Sequence, residues 1–304
     1  MRRVIALTAA RFCAGTLAIL VSGAIAAVPA YSQPAPDSAH THAVQHPSKA
    51  DLQKESQNPV GGLISIPIQW NGNMNTRPLT EITGSEPPAS DRTTTQIDFE
   101  PAVPVHLSED WNLITRLILP VKFQPVGDDE ILEETETHVG GFADSNLSFY
   151  LSPAKAGGLI WGVGPSFLLP TATESVLGTG KWGGGPTVVV LAMPGKFVLG
   201  SLWTQIWSFA GSSERASVSS LSWQYFINYN LPKGWSLVMT PTITVDWKAT
   251  SGNKWTVPVG GGASYMGHLG HQMIKLALEF YWNAARPEGA AAWAWQFSLV
   301  PLWK

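Results

Sequence analysis

The sequence predicts an all-β protein: a transmembrane, antiparallel, up-and-down β-barrel of about twelve strands, with short periplasmic turns and longer external loops. Three observations predict it. Apolar and polar residues alternate in segments of about ten residues from Gly62 onward. Short and long connections alternate along the chain, and tryptophans gather near the ends of the alternating segments.

The alternation is clearest in three places. Ile64, Ile66, Ile68 and Trp70 alternate with Ser65, Pro67 and Gln69. Leu221, Trp223, Tyr225, Ile227, Tyr229 and Leu231 alternate with a set that only Phe226 makes less than wholly polar. Trp235, Leu237, Met239, Pro241, Ile243, Val245 and Trp247 alternate with a face rich in Ser and Thr that ends on Asp246. A period of two puts each set on its own side of a strand, so every strand has one apolar and one largely polar face. Strands are expected near 62–71, 94–105, 110–121, 145–152, 158–169, 184–193, 196–208, 219–231, 234–247, 255–265, 271–283 and 292–303. The pattern is weakest at 184–193, apolar on both faces from Val188 to Leu191, and at 196–208.

The short links are His106–Glu109, Pro153–Gly157, Pro194-Gly195, Pro232-Lys233 and Met266–Gly270. Between them lie the longer stretches 72–93, 122–144, 170–183, 209–218, 248–254 and 284–291. Both ends of the barrel sequence then fall on the periplasmic side. In hydrocarbon an unpaired backbone group costs several kcal/mol, so the sheet must close with its apolar face outward. The polar face carries Asp98, Glu100, Arg116, Gln224, Asn228, Asp246, Glu279 and Gln296, too many such groups for a packed soluble interior. All fourteen tryptophans come after residue 69. Trp111, Trp235 and Trp303 suit a periplasmic girdle, and Trp70, Trp207, Trp247 and Trp255 an outer one. The competing placement is the core of a secreted sandwich.

Residues 1–32 read as a signal peptide: Arg2 and Arg3, an apolar run from Thr16 to Val28, and small residues around Ala30 and Ser32. Cys13, the chain's single cysteine, lies inside it, leaving no disulfide framework for the rest. No later stretch reaches the 18 or so apolar residues a membrane helix needs. Residues 33–60 read as a flexible N-terminal tail with a short helix from Lys49 to Ser56, Ser48 as N-cap and Asp51 in the first turn, broken by Asn58-Pro59; residues 61–304 are the barrel. With 44% hydrophobic residues, 13% charged and a net charge of −3 without a basic face, disorder and nucleic-acid binding are both excluded as main themes.

Particular runs carry a family likeness. Asp51-Leu52 to Gln57-Asn58-Pro59-Val60, Leu63-Ile64-Ser65-Ile66-Pro67, Asp110-Trp111-Asn112-Leu113-Ile114-Thr115-Arg116, Trp161-Gly162-Val163-Gly164-Pro165, Leu169-Pro170-Thr171-Ala172-Thr173, Gly180-Lys181-Trp182-Gly183 and Trp255-Thr256-Val257-Pro258-Val259 occur in that order. Together they resemble a bacterial outer-membrane transporter family linked to the phenol-degradation meta-pathway, some of whose members carry a neuromedin U label. The resemblance implies a barrel in the cell outer membrane that passes small, often hydrophobic, molecules. One departure stands out: Lys304 follows Trp303, where such proteins usually end on the aromatic residue read by the barrel-assembly machinery.

Asp98, Glu100, Arg116, Gln224, Asn228, Asp246, Lys275 and Glu279 are the expected lumen-lining residues. Glu100 and Arg116 can meet across a hairpin, either as a selective charged constriction or as an internal salt bridge that stiffens the wall. Segment 49–56 with Asn58 and Pro59 is either a plug in the periplasmic mouth or a tether. The acidic loop from Asp128 to Glu136 could hold calcium or bridge to lipopolysaccharide, but solvation suffices to explain it. His40, His42 and His46 lie in the tail, and Gly178-Thr179-Gly180-Lys181 lacks the spacing of a phosphate loop. His106 and Ser108, the nearest approach to a hydrolase pair, have no third partner in sequence reach. The expected function is passive passage of small molecules without a cofactor, metal or enzymatic step, among outer-membrane lipid and lipopolysaccharide; the alternative is a structural or surface-binding barrel.

Overall fold

A computed structural model describes residues 48–76, 92–125, 138–155 and 157–303. The signal segment, the tail histidines, the acidic loop 128–136 and Lys304 lie outside them. After helix α1 (Lys49–Glu55) come β1 (Ile64–Ser65), β2 (Ile68–Thr76), β3 (Arg92–Phe99), β4 (Ala102–His106), β5 (Trp111–Pro125), β6 (His138–Phe142), β7 (Ser145–Pro153) and β8 (Leu159–Leu169). They are followed by β9 (Lys181–Ala192), β10 (Phe197–Gly211), β11 (Ser219–Asn230), β12 (Trp235–Val238), β13 (Thr242–Asp246), β14 (Trp255–Leu269), β15 (Gln272–Ala285) and β16 (Trp293–Trp303).

These segments form a closed barrel of twelve wall strands, because β1–β2, β3–β4, β6–β7 and β12–β13 are each one strand interrupted. Every pairing is antiparallel, and the ring closes where β16 pairs with β2 from Trp293↔Met74 to Leu299↔Ile68 and with β1 at Ile64↔Trp303. Each expected strand is present, the two weakest included. Val188 to Leu191 can be apolar on both faces because one face meets lipid and the other an apolar cluster inside the barrel.

A proline, which cannot donate to the ladder, stands at three of the interruptions. Pro67, Pro101 and Pro241 sit at the breaks, and the neighbouring strands bridge them through Glu100 N to Pro67 O (2.9 Å), Leu117 N to Pro101 O (3.1 Å) and Tyr225 N to Pro241 O (3.3 Å). The fourth break, at Ala143-Asp144, frees the Asp144 carboxylate to accept from Thr179 N (2.6 Å) and Ala172 N (3.3 Å), which pins loop 170–180 over the wall.

The two faces of β15 show which way the sheet turns. Leu278, Phe280 and Trp282 are 45%, 55% and 47% exposed, while Ala277, Glu279 and Tyr281 are 7%, 3% and 5% exposed. Apolar side chains point out and polar ones in, the inverse of a soluble sandwich. Strands β5, β10 and β14 run 15 residues. That exceeds the 9–11 or so needed to cross a bilayer, so their ends stand clear of the hydrocarbon. At the short-turn end Trp111 meets Trp161 edge to face at 6.0 Å; at the opposite end Trp247 meets Trp255 at 6.0 Å. Trp70 departs from the expected girdle: it is mid-wall against Phe297, with ring centroids 5.8 Å apart.

Candidate functional site

Among the described residues, two cavities in the barrel interior meet at one level. The upper, of about 630 Å³, is walled by polar side chains such as Asn71, Gln96, Asp98, Asn146 and Ser222. The lower, of about 180 Å³, lies between the strands and the N-terminal segment Ser56 to Leu63. Five residues line both: Gln69, Glu100, Arg116, Gln224 and Gln296.

Those five come from strands distant in sequence, and the register explains how they meet. Ser298 faces Gln69, Gln69 faces Asp98, and Ala102 faces Arg116, so the inward positions of β16, β2, β4 and β5 share one patch. Within it Arg116 Nη2 donates to Glu100 Oε2 at 2.7 Å. Gln69 Nε2 reaches the same oxygen at 3.4 Å, and Gln296 Nε2 donates to Gln69 Oε1 at 2.8 Å. Gln224, across the lumen, donates to Thr240 O at 3.2 Å. A low-dielectric wall makes such a pair strongly directional, because removing either charge leaves the other buried without compensation.

The other expected lumen residues separate by level. Asp98 is buried in the upper cavity wall and accepts from Asn71 Nδ2 (2.7 Å) and Gln96 Nε2 (2.8 Å). Asn228, Lys275 and Glu279 line the lower cavity. Glu279 accepts from Thr240 N at 3.0 Å, Thr240 Oγ1 at 2.9 Å and the Tyr281 hydroxyl. Asp246 is exposed at the outer end of β13 and lines neither cavity, so it does not join the group.

Helix α1 stands at the short-turn end, with Ser48 and Asp51 forming a reciprocal capping box. Gln53 Nε2 donates to Trp235 O (2.7 Å) and Ser236 Oγ (2.8 Å), and Gln57 Nε2 donates to Asn230 Oδ1 (2.9 Å). Asn58 and Pro59 follow as lining of the lower cavity, with Asn58 Oδ1 accepting from Val60 N at 3.1 Å. Val60 is then packed among Ile114, Tyr150, Val189, Leu191, Val198, Leu202 and Phe226. Leu52 and Leu63 pack on Met266, Val300 and Leu302. The lumen therefore carries apolar side chains at both levels, Ile118, Leu168 and Ile206 above and Val60 with Phe226 below, where the alternation suggested polarity throughout. Gly200 makes room for Phe226: a Cβ there would lie 2.2 Å from its ring.

Sequence reading missed Val60, Gln57 and Gln53 as interior residues. Their segment has no two-residue period to reveal a buried side, and the partners of Gln53 and Gln57 lie more than a hundred residues away.

No protein-family model and no curated protein matches the sequence. Among solved structures, the COG4313 outer membrane channel from Pseudomonas putida F1 superposes with a TM-score of 0.59 at 14% identity, over 81% of this chain and 97% of that one. The fold is that of an outer-membrane barrel. The resemblance drawn from the motifs is thus met at the level of the fold. Looser likenesses are to the CymD monoaromatic hydrocarbon channel (TM-score 0.40, 9% identity, 82% and 92% covered) and to outer membrane phospholipase A from Escherichia coli (0.39, 10%, 79% and 96%).

Proposed function

We propose that the chain is an outer-membrane channel for the passive passage of small molecules, some of them hydrophobic, through the lumen of its barrel. The observation that carries this reading is the pair of cavities meeting at Gln69, Glu100, Arg116, Gln224 and Gln296. A charged and amide-rich waist of that kind sorts permeants by size and hydrogen bonding, as charged rings do in pores. Segment 48–63 acts as a plug: two glutamine amides and a few apolar side chains hold it in the short-turn mouth, a set weak enough to release. Conductance in planar bilayers tests it. Wild type should pass little current, and deletion of residues 48–60 should raise it several-fold; equal conductance would remove the plug from the reading.

The reading contains no hydrolytic step. His106 and Ser108 are exposed at the end of β4 and in the turn after it, and Ser108 Oγ accepts from Asp110 N at 3.3 Å. A nucleophile needs a base and an orienting partner. Phospholipid turnover by the purified protein is expected to be nil. The external rim, where Lys248 and Lys254 neighbour Trp247 and Trp255, is the part that would meet lipopolysaccharide, and strand β16 the part presented to the barrel-assembly machinery. The apolar packing around Val60 favours a second reading, a structural barrel with a closed lumen, and the same deletion separates the two.

A further inference from the structure

The lower cavity has an uneven set of polar groups. Each carboxylate lining it is already held: Glu100 by Arg116 and Gln69, and Glu279 by the Thr240 amide and hydroxyl and by Tyr281. Among the described residues Lys275 is the lining cation with no hydrogen-bond acceptor, while Arg116 has Glu100. Its place is set by register, between Met266 on β14 and Val300 on β16, one inward step below Ala277. Ser298, opposite Ala277, accepts from Gln296 and keeps its hydroxyl proton to give. Asn58 accepts through Oδ1 and keeps its amide donors. Acceptors lacking a partner also line the cavity: Gln57 Oε1 and Asn228 Oδ1 are sealed from solvent, while Gln224 Oε1 and Gln296 Oε1 belong to the waist shared with the upper cavity. Below the waist, around Lys275, what the cavity offers is donors, beside an apolar wall of Phe226, Val238, Ala277 and Val300.

Size narrows the occupant. A cavity of roughly 150 Å³ accommodates benzene, and this one measures about 180 Å³. The donors open on the cavity and are not sealed from it, so an occupant must bring acceptor oxygens in place of water, and a carboxylate is a compact organic anion that presents two of them. We propose that the lower cavity is a binding site for a small amphipathic carboxylate, its oxygens on Lys275 Nζ, the Ser298 hydroxyl and the Asn58 amide, and its apolar body against Phe226 and Val238. The proposal rests on the passage reading in that the acid reaches this site through the waist, and it names the class of molecule the channel holds on the way.

Calorimetric titration of the full chain in detergent, with benzoate, benzyl alcohol and benzylammonium as probes, tests it. Benzoate should bind saturably to wild type and to Lys275→Arg, and at least about tenfold more weakly to Lys275→Met, as loss of a charged hydrogen bond implies. Ser298→Ala should weaken it by a smaller factor, and heat-modifiable mobility in gels confirms that each variant is a folded barrel. The two other probes should bind weakly and without regard to Lys275. Equal benzoate affinity in wild type, Lys275→Met and Ser298→Ala, or benzyl alcohol binding as tightly as benzoate, overturns the site. Liposome swelling with a neutral sugar is run in parallel. Lys275-dependent binding without swelling by the plug-deleted chain sinks the passage reading and leaves the site standing, whereas swelling without benzoate binding does the reverse.

Discussion

Arg116 and Glu100 show how much one pair of side chains can decide. Their side chains are 20% and 9% exposed, so both charges are largely removed from water and each depends on the other. Replacing Arg116 with Met strands the Glu100 carboxylate beside Gln69, and a broken buried pair costs on the order of 3–5 kcal/mol. The expected outcome is a lower unfolding midpoint in urea, with much of the loss restored by Glu100→Gln in the same chain. Restoration separates a coupled pair from two independent contributors, because additive losses would show no coupling. If the pair also forms the waist, Glu100→Gln with Arg116 intact should shift ion preference toward anions in reversal-potential measurements.

Helix α1 is seven residues long, too short to be stable by itself, so its caps and its contacts with the wall hold it. The hydrogen bonds from the Ser48 hydroxyl and backbone amide hold the Asp51 carboxyl below its ordinary value of 3.8. A carboxyl depressed by folding contributes stability that is present above its unfolded value and lost as pH falls through the folded one. Helix α1 should therefore stay capped at neutral pH and loosen only below about 3.8. The protection factors of the amides of residues 51–55, each taken against its intrinsic exchange rate at the same pH, should fall below about 3.8 in wild type, and Ser48→Ala should show low protection at both pH values. At this scale the sequence was only half legible. Ser48, Asp51 and the Asn58-Pro59 break are local signals, so the helix and its start could be read directly. That Gln53 and Gln57 face Ser236 and Asn230 could not be, because nothing local encodes contacts made across 183 and 173 residues.

The barrel as a whole was legible for the opposite reason: its defining signal is a repeated local one. Each strand carries its own two-residue alternation, and lipid outside forces one orientation on all of them. Residues such as Glu279 and Asp98 could be assigned inward by parity alone, and Trp70 could be assigned outward but not to a depth, because parity carries no coordinate along the strand. Inward apolar residues such as Phe226 and Val189 were harder, since alternation cannot distinguish a lipid-facing residue from one packed on a plug. A paired substitution tests the orientation itself. Leu278 is 45% exposed on the outer face of β15, and Arg there would lie in hydrocarbon, costing about 2–4 kcal/mol near the midplane. Ser222 lines the upper cavity, where Arg would meet water. Folding of Leu278→Arg into bilayers from urea should be less favourable by that amount, while Ser222→Arg should fold as wild type and change conductance instead. Equal stability losses in the two variants would mean that both faces are solvated alike, and the barrel would have to be read as a soluble one turned inside out.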